Sequence, residues 1–336
     1  MVLDNIYKDF KLPLHFVNGK TELKKHVLAD LEINETLNPE NKSVYERLFL
    51  TKTQLGDECK KEWTKYFSTD KTFLKESQKL YKKAGDIDID KSIINNMLDA
   101  RNEMKAETDF LYKYQYLEWD RLKWLNHSSI FLYILSFYNI SSPLINLIAP
   151  LFILIIPFIL LKLMRIPISV EAYTKILIRQ LKTHSIGRLF FSFGSMDMKQ
   201  KVYAIFCIGM YIYNLYQNVI SCYKFYNNID FITNQFDILN NYFNHTLENM
   251  HKISSKIEKY SSYSVFKFKL DGYIKRIEHF KNIINELPKP NDKFNQIKKI
   301  GVLLKYFYTL YDNDEIEEIL NYSFGFNGYI ECILGI

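Results

Sequence analysis

Apolar positions along the chain fall into helical, continuous and weakly patterned stretches. From Ser43 onward Val44, Tyr45, Leu48 and Phe49 stand three to four apart, the spacing of one buried helical face. A second helix is bounded by Thr69 and Asp70 as N-terminal caps, lined by Phe73, Leu74, Leu80 and Tyr81, and closed by Gly85 after Lys82 and Lys83. Between Lys91 and Asn126 there is no Pro or Gly, and Ile94, Met97, Met104, Leu111, Leu117 and Leu125 recur near helical spacing. This predicts one long helix of about 50 Å. Its counterpart runs through Ile232, Phe236, Leu239, Phe243, Leu247, Met250, Ile253, Ile257 and Tyr260. Two such amphipathic helices are expected to pair antiparallel as a coiled-coil lever. Further helices fall at Tyr273 to Leu287 and Gln296 to Tyr311, parted by the Pro288-Lys-Pro290 breaker. Residues 1–40 pattern weakly and read as an opening segment with one strand at the apolar run Leu12 to Val17.

The continuous stretch is the strongest feature. No charge occurs from Ser128 to Leu161, and Pro143, Pro150 and Pro157 mark it at intervals of seven. A spanning helix needs about 20 apolar residues, so the run is long for one span and short for two. Leu144 to Leu161 suffices for a single crossing; alternatively, Ser129 to Ser142 and Leu144 to Leu161 form a hairpin that dips into one leaflet. The hairpin keeps both lever helices on one side. A single span separates them unless the uncharged Val202 to Tyr223 crosses back, and its Tyr203, Tyr211, Tyr213, Asn214, Tyr216, Gln217 and Asn218 suit a buried soluble helix better. The expected fold is therefore mainly α, with long antiparallel lever helices, a helical core and a central hydrophobic helical hairpin. Its segments are 1–127, 128–224 and 225–336.

Charge sharpens this picture. Between Lys162 and Lys201 lie eight basic residues against Glu171 and Asp197, which equals the +6 excess of the whole chain. Lys162, Arg165, Lys175, Arg179 and Lys182 are the candidate contacts for phosphates, and their closeness to the apolar run favours lipid headgroups. DNA is the other candidate partner, through Lys175, Arg179 and Lys182 on one helical face. The N-terminus lacks a secretory signal pattern, and no pair among Cys59, Cys207, Cys222 and Cys332 has Cys-x-x-Cys spacing. A reduced, intracellular setting on the cytoplasmic face of a membrane fits. The Asn-x-Ser/Thr triplets are discounted as products of an Asn-rich composition.

Catalytic chemistry finds no motif. Gly19-Lys20 has Leu14 where a P-loop needs its first Gly, and no His-Glu-x-x-His, Gly-x-Ser-x-Gly or Gly-x-Gly-x-x-Gly occurs. Asp86, Asp88 and Asp90 resemble the start of a calcium loop but lack its turn Gly and closing Glu. Asp312, Asp314, Glu315, Glu317 and Glu318 read as a solvated run near a helix start. The expectation is a non-enzyme with no catalytic, cofactor or metal residues.

Residues 30 to 81 contain Asp30-Leu-Glu-Ile33 with Thr36-Leu37, Ser43-Val-Tyr-Glu-Arg-Leu-Phe49, Thr53 with Gly56, Trp63, Thr69-Asp70 with Phe73-Leu74, and Gln78. In this order they resemble the opening of the core domain of the MutS family of DNA mismatch-repair ATPases. The likeness is to divergent MutS-like proteins of large DNA viruses and some bacteria, which carry an apolar segment in the core. The resemblance implies a core and lever scaffold, coupled to an ATPase domain or partner and in some cases to a second copy of itself. It also implies that Phe324, Gly325 and Gly328, in Phe-Gly-Phe-Asn-Gly, form the junction to that ATPase. No Phe-x-Glu mismatch-reading triplet and no Walker A lysine are present, so mismatch recognition and ATP hydrolysis are not implied for this chain. Its expected role is that of a non-catalytic, membrane-associated MutS-like core and lever. The alternatives are a membrane-anchored adaptor unrelated to repair and a DNA-binding module.

Overall fold

The computed structural model describes residues 6–38, 40–165, 167, 169–183 and 197–336. The chain is mainly α-helical with, among the described residues, one small sheet, in which Lys20–Glu22 pairs antiparallel with Tyr66–Ser68, Thr21 opposite Phe67. It divides into two compact units, one built from residues 1–129 and 231–336 and the other from residues 130–230. The expected first and last segments thus join in one unit. The 59-residue helix Met198–Lys256 is shared by both.

At the centre of the first unit is the helix Asp314–Gly335, buried without interruption from Ile319 to Ile333. Only a helix with no charged face but Glu331 over this length can be enclosed on all sides. Phe10 wedges against it, its ring 5.2 Å from Tyr322 and 6.2 Å from Phe266. Glu331 is 6% exposed and its carboxylate accepts from the Thr53 backbone N–H at 2.9 Å, and also from the Thr53 hydroxyl and the Lys52 N–H. It thereby places a negative charge at the start of the helix Gln54–Trp63. Deeper in, Asn327 Nδ2 donates to Tyr242 Oη and Thr246 Oγ1, both at 2.9 Å, and Tyr242 bonds Ser323 Oγ at 3.0 Å.

The caps follow the sequence closely. Ser43 and Glu46 form a capping box at Val44–Leu48, Asp70 caps Lys71–Lys82, and Asp90 caps Lys91–Ala106. Burial follows it less well. Phe49, Phe73 and Leu80 are core, whereas Val44, Leu48 and Leu74 are exposed. The run Leu12 to Val17 is not a strand: Pro13–Phe16 is a 3-10 turn whose Pro13 and Leu14 are buried. The strand forms instead from Lys20–Glu22, which has a partner in Tyr66–Ser68.

The predicted helix from Lys91 to Asn126 is broken. It ends at Ala106, resumes for one turn at Phe110–Lys113, and passes through Gln115 at φ +60° to a 3-10 stretch, Asp120–His127. The reason is aromatic burial. The Phe110 ring stacks on Tyr311 at 3.9 Å and lies 5.3 Å from Phe307, both on the helix Ile300–Asp312, and reaching them turns the chain inward. Asn126, fully buried, clamps the turn by bonding both the N–H and the carbonyl of Leu117 at 3.0 Å. Contact with the later helix still runs in the antiparallel sense, with Asp90 N–H to His245 Nε2 at 3.2 Å and Tyr114 against Phe231 at 6.1 Å.

The acidic run is paired rather than merely solvated. Glu318 takes a two-pronged contact from Arg276 at 2.8 and 3.1 Å, and Glu317 contacts Lys105 at 2.5 Å and the buried Arg101 at 3.4 Å. Asp86 meets Lys256 at 2.7 Å, and the Asp88 carbonyl accepts from Asn249 at 2.8 Å.

Candidate membrane interface

In the second unit the hydrophobic run forms no hairpin of its own. It is one helix, Ser129–Leu163, continuous through all three prolines. A proline removes its own N–H and frees the carbonyl four residues back, here Asn139, Asn146 and Ile153. Prolines seven apart lie on nearly one face, and so do the carbonyls they free, so a single neighbouring helix can serve them. The neighbour is Met198–Lys256: Tyr211 Oη donates to the Asn146 carbonyl at 3.2 Å. Two more polar links join the helices, Ser142 Oγ to Asn218 Oδ1 at 2.9 Å and Cys222 Sγ to the Ile140 carbonyl at 3.7 Å.

The apolar side chains of this unit point outward. Among its described residues only Leu132, Ser136, Tyr173, Ala204, Phe225 and Ile229 are buried. Ile134, Phe137, Leu144, Leu147, Phe152 and Ile155 are all at least half exposed. By length and composition, Ser129–Ile148 within this helix is the one stretch among the described residues long and apolar enough to cross a membrane on its own, and 11% of it is buried. The segment Val202 to Tyr223 is not a buried soluble helix either: Val202, Ile205, Phe206, Met210, Ile212 and Val219 are exposed. Its Tyr, Asn and Gln residues, read from sequence as a mark of a soluble core, include Tyr211 and Asn218, which bridge to the neighbouring helix. The available signal was the proline spacing, which announced free carbonyls in need of donors.

The basic candidates gather at one end. Lys162 and Arg165 are exposed where the first helix stops; Lys162 Nζ sits 5.5 Å from the Phe158 ring, and Arg165 turns the chain at φ +58°. The Tyr173 ring, 4.8 Å from Phe158, seats the helix Val170–Thr183 at that same end. Lys175 and Arg179 are exposed on it, and Lys175 Nζ is 2.8 Å from Glu171. Lys182 belongs to the same helix; its side chain and Arg188 lie outside the described residues. Phe324, Gly325 and Gly328 lie within the buried length of Asp314–Gly335. All three are buried, and a Cβ on Gly325 or Gly328 would meet Phe10 at 2.4 Å or the Leu55 carbonyl at 2.5 Å.

Among the described residues no three His, Cys, Asp or Glu side chains converge to hold a metal. A solvent-open trough of about 410 Å³ is lined by Lys267 and Asp271, themselves an ion pair at 2.7 Å. Compared with protein-family models, curated proteins and solved structures, the chain matches none.

Proposed function

We propose that this chain is a non-catalytic helical scaffold held at a membrane by residues 130–230, with the unit built around Asp314–Gly335 as its aqueous body. One observation supports this reading above the others: a unit whose large apolar side chains face outward along helices that carry no charge from Ser128 to Leu161 and from Val202 to Tyr223. Soluble monomers rarely expose contiguous apolar patches beyond a few hundred Å², whereas lipid asks for such a surface. The basic end, with Lys162, Arg165, Lys175 and Arg179, suits anionic headgroups.

A second reading adds the core-and-lever role of the MutS resemblance. It draws support from the Thr53-x-x-Gly56 start of the Trp63-bearing helix and from the helix Met198–Lys256, about 90 Å long and common to both units. In that role the chain couples a membrane-held part to an ATPase supplied by another domain or chain.

The test is flotation of the full chain with phosphatidylcholine and phosphatidylserine vesicles. The expected result is co-flotation that survives high salt and alkaline carbonate. Leu147→Lys, at a position 57% exposed, is expected to lower the floated fraction, since a lysine near mid-bilayer costs roughly 3 kcal/mol. A chain that stays at the bottom of the gradient, soluble without detergent, overturns the proposal.

A further inference from the structure

Resting on the membrane reading, we infer that residues 130–230 cross the bilayer twice as an antiparallel helix pair. The basic segment between the helices and the two connections to the other unit then lie on opposite faces of the membrane.

The links between the helices fix their direction. Ile140 meets Cys222, Ser142 meets Asn218, and Asn146 meets Tyr211. One number rises as the other falls, so the helices are antiparallel. Carried along at this register, Val202 to Tyr223 lies beside roughly residues 137–158, a shared uncharged layer about 33 Å deep at ~1.5 Å per residue. The hydrocarbon core of a bilayer is about 30 Å. Charges bracket this layer: Lys162 and Arg165 with Lys199 and Lys201 at one end, Lys224 and Asp230 at the other.

The other membrane placements meet physical obstacles. A hairpin within one leaflet needs a turn inside 129–163, and that helix is unbroken. A helix lying flat at the interface needs a charged or strongly polar face, and Ser128 to Leu161 offers no charge on any side. Crossing also explains the polar residues of the second helix. In hydrocarbon every freed carbonyl needs a donor from protein, and Tyr211 supplies one to Asn146. Asn218, bonded to Ser142 and to Asn214 at 2.8 Å, keeps its amide inside the pair.

The test uses the full chain with Cys207→Ser and Cys222→Ser, and with Ala172→Cys and Lys259→Cys added at exposed positions. Cys59 and Cys332 are buried, so the same chain without the added cysteines serves as the blank. After reconstitution in phosphatidylcholine and phosphatidylglycerol vesicles, a membrane-impermeant polyethylene-glycol maleimide counts accessible sites per molecule by gel shift. Two crossings give one adduct on every chain whatever its orientation, and a second only after detergent. Chains carrying two adducts or none in intact vesicles, from protein that floats, overturn the topology and leave the membrane reading standing. Protein that does not float, and runs as a detergent-free dimer with its apolar faces joined, overturns both.

Discussion

Gly325 and Gly328 let a helix be surrounded. Each is where another segment presses against the backbone of Asp314–Gly335, Phe10 on one and the Leu55 carbonyl on the other. Gly325→Ala forces the Phe10 ring to move within a packed core, where such overpacking costs typically about 1–3 kcal/mol. The expected outcome is a lower urea midpoint with an unchanged slope, followed by circular dichroism. Glu62 tests electrostatics at the same scale. Burial acts to raise its pKa, but hydrogen bonds from His15 at 3.3 Å and Lys65 at 2.5 Å outweigh that and hold the carboxyl below its usual range. Since the folded value lies below the unfolded one of about 4.3, ionised Glu62 contributes stability that is present above the unfolded value. That contribution is lost as pH falls through the folded value. Glu62→Gln is therefore expected to be less stable than the parent at pH 7 and to converge on it below about pH 4, as read from urea midpoints across pH.

Helix continuity depends on what each element can reach. Lys91 to Asn126 has no residue that forbids a helix, yet it breaks so that Phe110 can stack on Tyr311 and Phe307. Ser129–Leu163 contains three prolines and does not break, because a neighbouring helix serves a carbonyl that one of them frees. A double-mutant cycle isolates this device. Tyr211→Phe leaves the Asn146 carbonyl without a donor, whereas Pro150→Ala restores the N–H that an α-helix directs to it. Tyr211→Phe is expected to destabilise the protein in detergent in the parent and to be nearly silent beside Pro150→Ala. Such bonds between membrane helices average about 0.6 kcal/mol and reach about 1.7 kcal/mol at most, which bounds the expected coupling. Thermal unfolding of the four proteins measures it; equal effects of Tyr211→Phe in both backgrounds would refute the role given to Pro150.

The whole molecule combines two opposite solutions for apolar surface. In the unit of residues 1–129 and 231–336 it is turned inward around one enclosed helix; in residues 130–230 it is turned outward. Flotation and adduct counting belong at this scale because they ask what solvent each unit was built for. Loss of flotation with Leu147→Lys while the first unit keeps its urea transition is the expected pattern if the two units serve separate environments.

The sequence by itself determined the helical character, the cap at Asp70, the breaker at Pro288, and the uncharged run from Ser128 to Leu161. These are local matters of backbone propensity, side-chain-to-backbone bonds and composition, readable within a few residues. Only the tertiary structure decided which apolar faces are covered. Val44 and Leu74 repeat the spacing of core residues but remain about half exposed, while Ile319 to Ile333 is enclosed on every side. The candidate interface divides in the same way. Lys162, Arg165, Lys175, Arg179 and Lys182 were legible as a basic segment. The partnership of Tyr211 with Asn146 and of Asn218 with Ser142 was not, because it joins residues 65 and 76 positions apart. No local pattern encodes a contact over that separation; it exists only once two helices lie side by side.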